Sequence, residues 1–554
     1  MFDVIVVGSG ASGSFAAKEL TERGMKVALI EAGPEITKQD FSKPPTGPVE
    51  KGVQLYKRAI ATMFGQHVQA KVAFFGNQFK HLFVNDLKHP YKTTRKNPYL
   101  WIRGKQLGGR LHIYGRVLMR WSDVDFKAGS VDGKSPDWPI CYDDIAPYYD
   151  QVETFLGVCG TKEGLPNLPD GKFIKDAHLT GLETRLKHAV AKRWPSRVIT
   201  PWRYMPPNEK RVPQPILAAR HTGNLTTFCN SVAVRVLTDA TGKKATGVEV
   251  VDADTKAKKV VNAKAVMLCA SPIESIRLLL NSANEAHPNG LGNRSDTLGR
   301  YFMDQVPLII FGSVPDKQGQ EDDPTWPADP FYGKTGGAYI PRWQNLGQQD
   351  QTYARGYGFQ GTAGRLFVKP GRQSQFAIMG FGELLPNADN RVTLAKQKDR
   401  WGMPIPHIKC WIGDNERALL KDAQVQIKDM VEAAGFDVEW IGSPLGLSEY
   451  GRGAYPHEGP LSRFLFRRFC ASTLTMGAAI HESGGVRMGD NPDDSMLNGR
   501  NQSWEVPNLF VTDASCFATS GTAGTTLTVM ALTIRAAEYV ANEIKTNATF
   551  DAKK

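Results

Sequence analysis

Six residues, Gly8-Ser9-Gly10-Ala11-Ser12-Gly13, constrain the start of this chain more tightly than any other stretch does. They follow a continuous apolar run, Val4-Ile5-Val6-Val7, the pattern of a strand buried on both faces. Beyond them Ala16, Ala17 and Leu20 recur at helical spacing. A second apolar run, Val27-Ala28-Leu29-Ile30, then ends on Glu31. Strand, glycine turn, helix, strand and closing carboxylate are the parts of a β-α-β dinucleotide-binding unit. Gly8 permits the tight turn, Gly10 lets backbone approach a pyrophosphate, and Gly13 lets the helix pack closely on the strand. The helix start at Ala11 and Ser12 offers free N–H groups and the positive end of the helix dipole to phosphate. Glu31 can accept hydrogen bonds from an adenosine ribose. A glycine-rich turn without a ligand needs none of this surrounding frame.

At 554 residues the chain has room for two or more domains. Its 22% charged and 41% hydrophobic residues are ordinary for a globular enzyme. The formal net charge of +12 raises the question of an anionic partner. The basic residues are spread along the chain, however, and no nucleic-acid motif accompanies them, so no nucleic-acid partner is expected. The densest basic stretch, RFLFRRFC at 463–470, interleaves aromatics with arginines. It reads either as a partner or membrane-surface contact or as a solvated face with snorkelling side chains. Seven cysteines (141, 159, 229, 269, 410, 470 and 516) are scattered and form no CxxC, which predicts reduced thiols and a cytoplasmic setting. A strand beginning at residue 2 leaves no room for a signal peptide, and no apolar run is long enough to cross a bilayer. Export beside a signal-bearing partner subunit stays open.

Residues 34–100 are rich in Pro, Lys and aromatics without a steady period, and read as an insertion of loops with a helix near 53–64. A second glycine turn, Gly108-Gly109, follows in the setting WIRGKQLGGR. Residues 225–252 alternate in short strand-like runs, 263–270 form a buried strand, and 273–281 have helical spacing. Val306 to Phe311 predicts a short core strand. Residues 300–450 suit a substrate domain with an irregular sheet, and 415–434 form a charged amphipathic helix. At the C-terminal end 509–513 read as a strand and 527–545 as a helix, so the nucleotide-binding domain is assembled from both ends of the chain. No metal-ligand spacing and no GxSxG nucleophile motif appears.

Four segments together resemble the glucose-methanol-choline (GMC) oxidoreductases, which bind FAD. They are the Gly8–Gly13 turn with Glu31, the Gly108-Gly109 turn, LCASPIESIRLLLNS at 268–282, and 479–489 followed by 508–513. Within the family, WIRG at 101–104, RVLMRWSDVDF at 116–126, Trp138-Pro139-Ile140 and NRVTL at 390–394 resemble the bacterial glucoside 3-dehydrogenase and pyranose oxidase-like branch. The implied fold is α/β: a Rossmann-like FAD-binding domain (1–60, 95–125, 225–300 and 470–554) and an α+β substrate-binding domain with an antiparallel sheet (126–224 and 301–469). Residues 61–94 are expected as an insertion near the active-site entrance. The resemblance assigns FAD contacts to Gly8, Gly10, Ala11, Ser12, Gly13, Glu31, Arg103, Gly108, Gly109, His112, Val234, Asp513, Ala514 and Thr526.

The implied chemistry is hydride transfer from a carbinol carbon to flavin N5, with the hydroxyl proton taken by a base. His481, in AIHESGG, matches the family's catalytic histidine, and a neutral imidazole suits the task near neutral pH. Gly484 and Gly485 after it are expected to leave room beside the isoalloxazine ring. The substrate implied is a secondary hydroxyl of a sugar or glycoside, with C3 favoured, and the acceptor is O2, a quinone or a redox partner protein. Covalent FAD in pyranose oxidases uses a histidine soon after the glycine pair. His112 falls one position early, so FAD is expected to be non-covalent. Ser271-Pro272 replaces the family's Gly-Ala at the next helix start, and His407 and His457 lie in the presumed substrate domain.

One position departs from the pattern. Where the family carries a second His or Asn, this chain has Gly524, followed by Thr525 and Thr526. Either threonine could supply a weaker hydrogen bond, or a neighbouring loop could. The alternative reading is altered chemistry, such as that of family members that are lyases and keep FAD for structural reasons.

Overall fold

A computed structural model describes residues 1–41, 58–72, 75, 79–206, 212–321, 336–451, 459–546 and 550–552. The apolar runs near the start become neighbouring parallel strands. In spatial order, Leu225–Phe228, Val27–Ile30, Phe2–Val7, Lys258–Leu268 and Leu509–Val511 form one parallel sheet. The strand Lys258–Leu268 does double duty. Its first half pairs antiparallel with Ala245–Asp252, which pairs with Ser231–Thr238, and its last residues pair with the first and last strands of the chain. Its burial follows suit, alternating in the antiparallel half and continuous in the parallel half.

Successive residues of Phe2–Val7 face opposite layers. Val4 and Val6 join a cluster with Ala16, Ala17 and Leu20 of helix Ala11–Glu22 and Ala536, Ala537 and Val540 of helix Thr526–Lys545. Ile5 and Val7 join the main core with Ile273 and Ile276 of helix Pro272–Asn281. Ser271 caps that helix at φ +77°, with Pro272 at its first turn. Two helices from the 126–224 stretch pack on this nucleotide side. Tyr149 of Tyr142–Leu156 hydrogen-bonds Thr528 at 2.8 Å, and Ile216 and Ala219 of Gln214–His221 join the alanine-rich cluster.

The second large sheet is antiparallel, in the order Gly446–Glu449, Asp437–Ser443, Val306–Gln318, Gln373–Gly382, Tyr357–Ala363, Ala338–Ile340 and Thr200–Pro201. Val306–Gln318 runs well past the short core strand expected at 306–311, because pairing on both edges sustains it. Helix Asp414–Ala433 covers the sheet with Leu419, Leu420, Ala423, Ile427 and Met430 buried. A small third sheet joins Arg391–Lys398, Pro404–Lys409 and Lys92–Thr93. His407 lies in it, half-buried, while His457 lies outside the described residues. Of the helix expected at 53–64, residues 58–63 are helical and 53–57 lie outside the described residues. The 463–470 stretch belongs to helix Pro460–Thr473, which leaves Leu461, Phe464 and Leu465 exposed. No helix among the described residues is long and apolar enough to cross a membrane.

Candidate active site

The glycine turn is built against the next strand. Gly8 has φ +94°, and a Cβ there would lie 2.4 Å from the Cys269 carbonyl oxygen. A Cβ on Gly13 would lie 1.8 Å from the Gly8 oxygen. Around Gly10, in contrast, an added Cβ meets nothing within 4 Å. Helix Ala11–Glu22 starts at that open face with no side-chain cap, so its first N–H groups are left for an incoming acceptor. The second glycine turn closes on the first: Gly109 comes within 3.5 Å of Gly10 Cα by the same Cβ test. Gly108 N donates to Ser9 Oγ at 2.9 Å, Ser9 Oγ donates to Glu31, and Gly33 N donates to Glu31 at 3.0 Å. Burial pushes the Glu31 carboxyl up, against the pull of these donors. An open space lined by backbone N–H groups with a fixed carboxylate beyond it fits a dinucleotide.

The remaining cofactor candidates fall into distinct settings. The Ser12 hydroxyl turns inward, 2.9 Å from Thr512 and 3.0 Å from Thr533, so only its backbone faces the open side. Val234 packs in a cluster with Ala32, next to Glu31. Arg103 stacks its guanidinium on Trp101 at 3.8 Å and donates to the His89 carbonyl, which stiffens the segment rather than reaching the glycine turn. Asp513 accepts from Ser275 at 2.5 Å and from the Ser515 backbone at 2.9 Å. The Ala514 carbonyl accepts from Gly484 at 2.9 Å, docking the segment after His481 onto the last strand. His112 Nε2 sits 2.7 Å from the Leu107 carbonyl and so carries a proton there. It borders a cavity of about 50 Å³ shared with Leu111, Tyr114, Pro213 and Met530. Thr526 opens the last helix.

His481 is held from both sides. Its backbone N donates to Asp304 at 3.0 Å, and its Nδ1 lies 2.6 Å from Gln305 Oε1. Phe381 flanks the ring at 5.1 Å between centroids. Burial, helped by the Arg110 guanidinium, pushes the imidazole down to about 4, so it is neutral at physiological pH. Arg110 pairs with Glu482 at 2.8 Å, and burial beside Glu482 raises the Asp304 carboxyl. The residue before the base, Ile480, has φ +61°, a costly conformation for a β-branched side chain.

Gly524 faces this ring. A Cβ placed on it would lie 3.7 Å from His481 Nε2 and 3.9 Å from Cε1. The structure therefore brings the departing position to His481, whose ring bonds Gln305. The structure gives the Gly484-Gly485 pair a packing reason of its own. A Cβ on Gly484 would lie 2.2 Å from the Tyr301 carbonyl and one on Gly485 2.3 Å from Ile276. Packing against protein demands these glycines.

Asp304, Gln305, Arg110, Glu482 and Phe381 were not singled out from sequence. One signal was available: Asp304-Gln305 interrupts an otherwise apolar stretch (FMDQVPLIIF), and a buried polar pair needs partners.

A split dinucleotide-binding domain, an antiparallel sheet and a neutral, half-buried imidazole between them suit a nucleotide-dependent oxidoreductase of CH–OH groups. The chain belongs to the GMC oxidoreductase family: the family's N-terminal model matches residues 2–306 and its C-terminal model 386–533. It is thus an FAD-dependent dehydrogenase or oxidase. The 2-methyl-1,2-propanediol dehydrogenase of Mycolicibacterium austroafricanum is 28% identical over 97% of this chain and 95% of its own. The fructose dehydrogenase large subunit of Gluconobacter japonicus is 24% identical over 98% of each chain. A C-glycoside 3-oxidase of Microbacterium trichothecenolyticum is 25% identical over 59% of this chain and 55% of its own. Among solved structures, pyridoxine 4-oxidase from Mesorbium loti has a TM-score of 0.57 at 20% identity, covering 97% and 98% of the two chains. Formate oxidase from Aspergillus oryzae RIB40 has 0.65 at 15%, covering 98% and 99%.

Proposed function

We propose that this protein oxidises a secondary hydroxyl of a sugar or glycoside, at C3 of the ring, to the ketone. The observation that carries the reading is the neutral His481 imidazole whose Nε2 faces the space in front of Gly524. FAD, when bound, supplies the hydride acceptor. Nε2 accepts the hydroxyl proton of the substrate, and the resulting imidazolium keeps its Nδ1–H bond to Gln305. Phe381 packs beside the imidazole, and Gly524 leaves room for a bulky ring where the family carries a side chain. The names of the fructose dehydrogenase and C-glycoside 3-oxidase relatives favour this substrate class, whereas that of the 2-methyl-1,2-propanediol dehydrogenase favours a small diol. FAD is held without a covalent bond, in keeping with His112 being occupied by the Leu107 carbonyl.

Anaerobic mixing with methyl β-D-glucopyranoside, D-glucose, D-fructose and 2-methyl-1,2-propanediol separates these substrate classes. Bleaching of the flavin by the pyranosides, with a 3-keto product, is the expected result. Bleaching by the diol alone removes the sugar assignment. Reoxidation by O2, a quinone or an added redox protein then identifies the acceptor.

A further inference from the structure

We infer that Gln305 is a positioning residue that fixes which nitrogen of His481 carries the proton, an inference that rests on His481 acting as the base. Gln305 is fully buried, immediately before strand Val306–Gln318. Its side-chain nitrogen lies 3.1 Å from the Ser520 carbonyl, 3.0 Å from Gly521 and 2.8 Å from Ala523. Carbonyl oxygens only accept hydrogen bonds, so the amide end facing them is the NH2 group. The opposite end, Oε1, then faces His481 Nδ1 at 2.6 Å. An amide oxygen also only accepts, so Nδ1 carries the proton. A neutral imidazole has one N–H, and Nε2 is left with its lone pair towards Gly524.

The amide cannot turn over without cost. A flip would set its oxygen against three carbonyl oxygens and its NH2 against the Nδ1 proton. The same carbonyls belong to the loop that carries Gly524, so ring and loop form one hydrogen-bonded unit. Asp304 fixes the two backbones together, accepting from His481 N at 3.0 Å and Gln305 N at 2.8 Å. The other tautomer would aim an N–H at the substrate hydroxyl, where no proton could be accepted.

The test reads the tautomer directly. Holoprotein labelled with 15N-histidine gives long-range 1H–15N spectra in which the His481 signals are those missing from His481→Ala. Near neutral pH, protonated Nδ1 and bare Nε2 are expected. Gln305→Leu should move the signals to the other tautomer or a mixture. It should also slow flavin reduction on the order of a hundredfold, with KM little changed. Gln305→Glu, protonated so that one oxygen donates to the Ser520, Gly521 and Ala523 carbonyls, keeps the other oxygen opposite Nδ1 and should retain the wild-type tautomer. Protonated Nε2 in the wild type, or an unchanged tautomer in Gln305→Leu, overturns the inference. Should Gln305→Leu fail to fold, the wild-type spectrum and Gln305→Glu decide. A wild-type rate in His481→Ala would instead defeat the base assignment and leave the Gln305 lock standing.

Discussion

Two small-residue turns in this molecule carry glycine for opposite reasons. At Gly13 a methyl group would lie 1.8 Å from a backbone oxygen, so the residue is glycine because protein already fills the space. At Gly524 a methyl would meet nothing closer than the His481 imidazole at 3.7 Å. The first glycine is a condition of the fold, whereas the second is a place left empty in the pocket. Gly10 is a third kind, with nothing within 4 Å of an added methyl and helix N–H groups beside it. A glycine in a sequence therefore means little until what stands in front of it is known.

The sharpest way to break this comparison is Gly13→Ala. Overpacking of this kind costs about 1–3 kcal/mol or more, against a total of roughly 5–15. The expected outcome is insoluble or FAD-free protein, and a yellow, soluble variant would show that the turn can give way. His481→Ala comes next. It should keep FAD and slow flavin reduction about a hundredfold to ten-thousandfold in stopped flow. In the wild type the acidic limb of the rate profile should fall near pH 4, well below the usual histidine value of about 6.5. The same depression makes the unfolded chain bind more protons between those values. Melting temperature should therefore drop as pH falls through that window.

Gly524→Asn tests the empty place. Its amide would sit against Nε2 and occupy the lone pair, so reduction by the true substrate should slow on the order of a hundredfold with FAD retained. A faster variant would mean that the missing side chain weakens the wild-type enzyme. Gly10→Ala is the mildest. Its φ of −70° suits alanine, so the apoprotein should melt as the wild type does. FAD affinity should fall by roughly tenfold, about 1.4 kcal/mol, in a titration. Colour released into the supernatant of acid-precipitated wild type would accompany this as the sign of non-covalent FAD.

The nucleotide-binding frame was legible because its parts lie within thirty residues and each has one physical reason. The strand at 509–513 and the helix at 527–545 were legible from periodicity alone, and the structure has Leu509–Val511 and Thr526–Lys545 there. The catalytic surroundings were not. Gln305 and His481 are 176 positions apart and Arg110 and Glu482 are 372 apart, and no local pattern announces a hydrogen bond over such a separation. The packing constraint on Gly484-Gly485 was hidden for the same cause, since Tyr301 and Ile276 reach them only in three dimensions. Gly524 could be flagged by what was missing, but its distance from the imidazole needed coordinates.

The double pairing of Lys258–Leu268 also sets a timetable. One of its edges is satisfied by Phe2–Val7, already synthesised, and the other waits for Leu509–Val511. At roughly 5–20 residues per second that wait is on the order of tens of seconds on the ribosome. Throughout it the nascent chain shows an apolar strand with an open edge, the form most prone to pair with a neighbour. Yield of this protein in a foreign host should therefore depend more on chaperone supply and growth temperature than on the stability of the finished molecule.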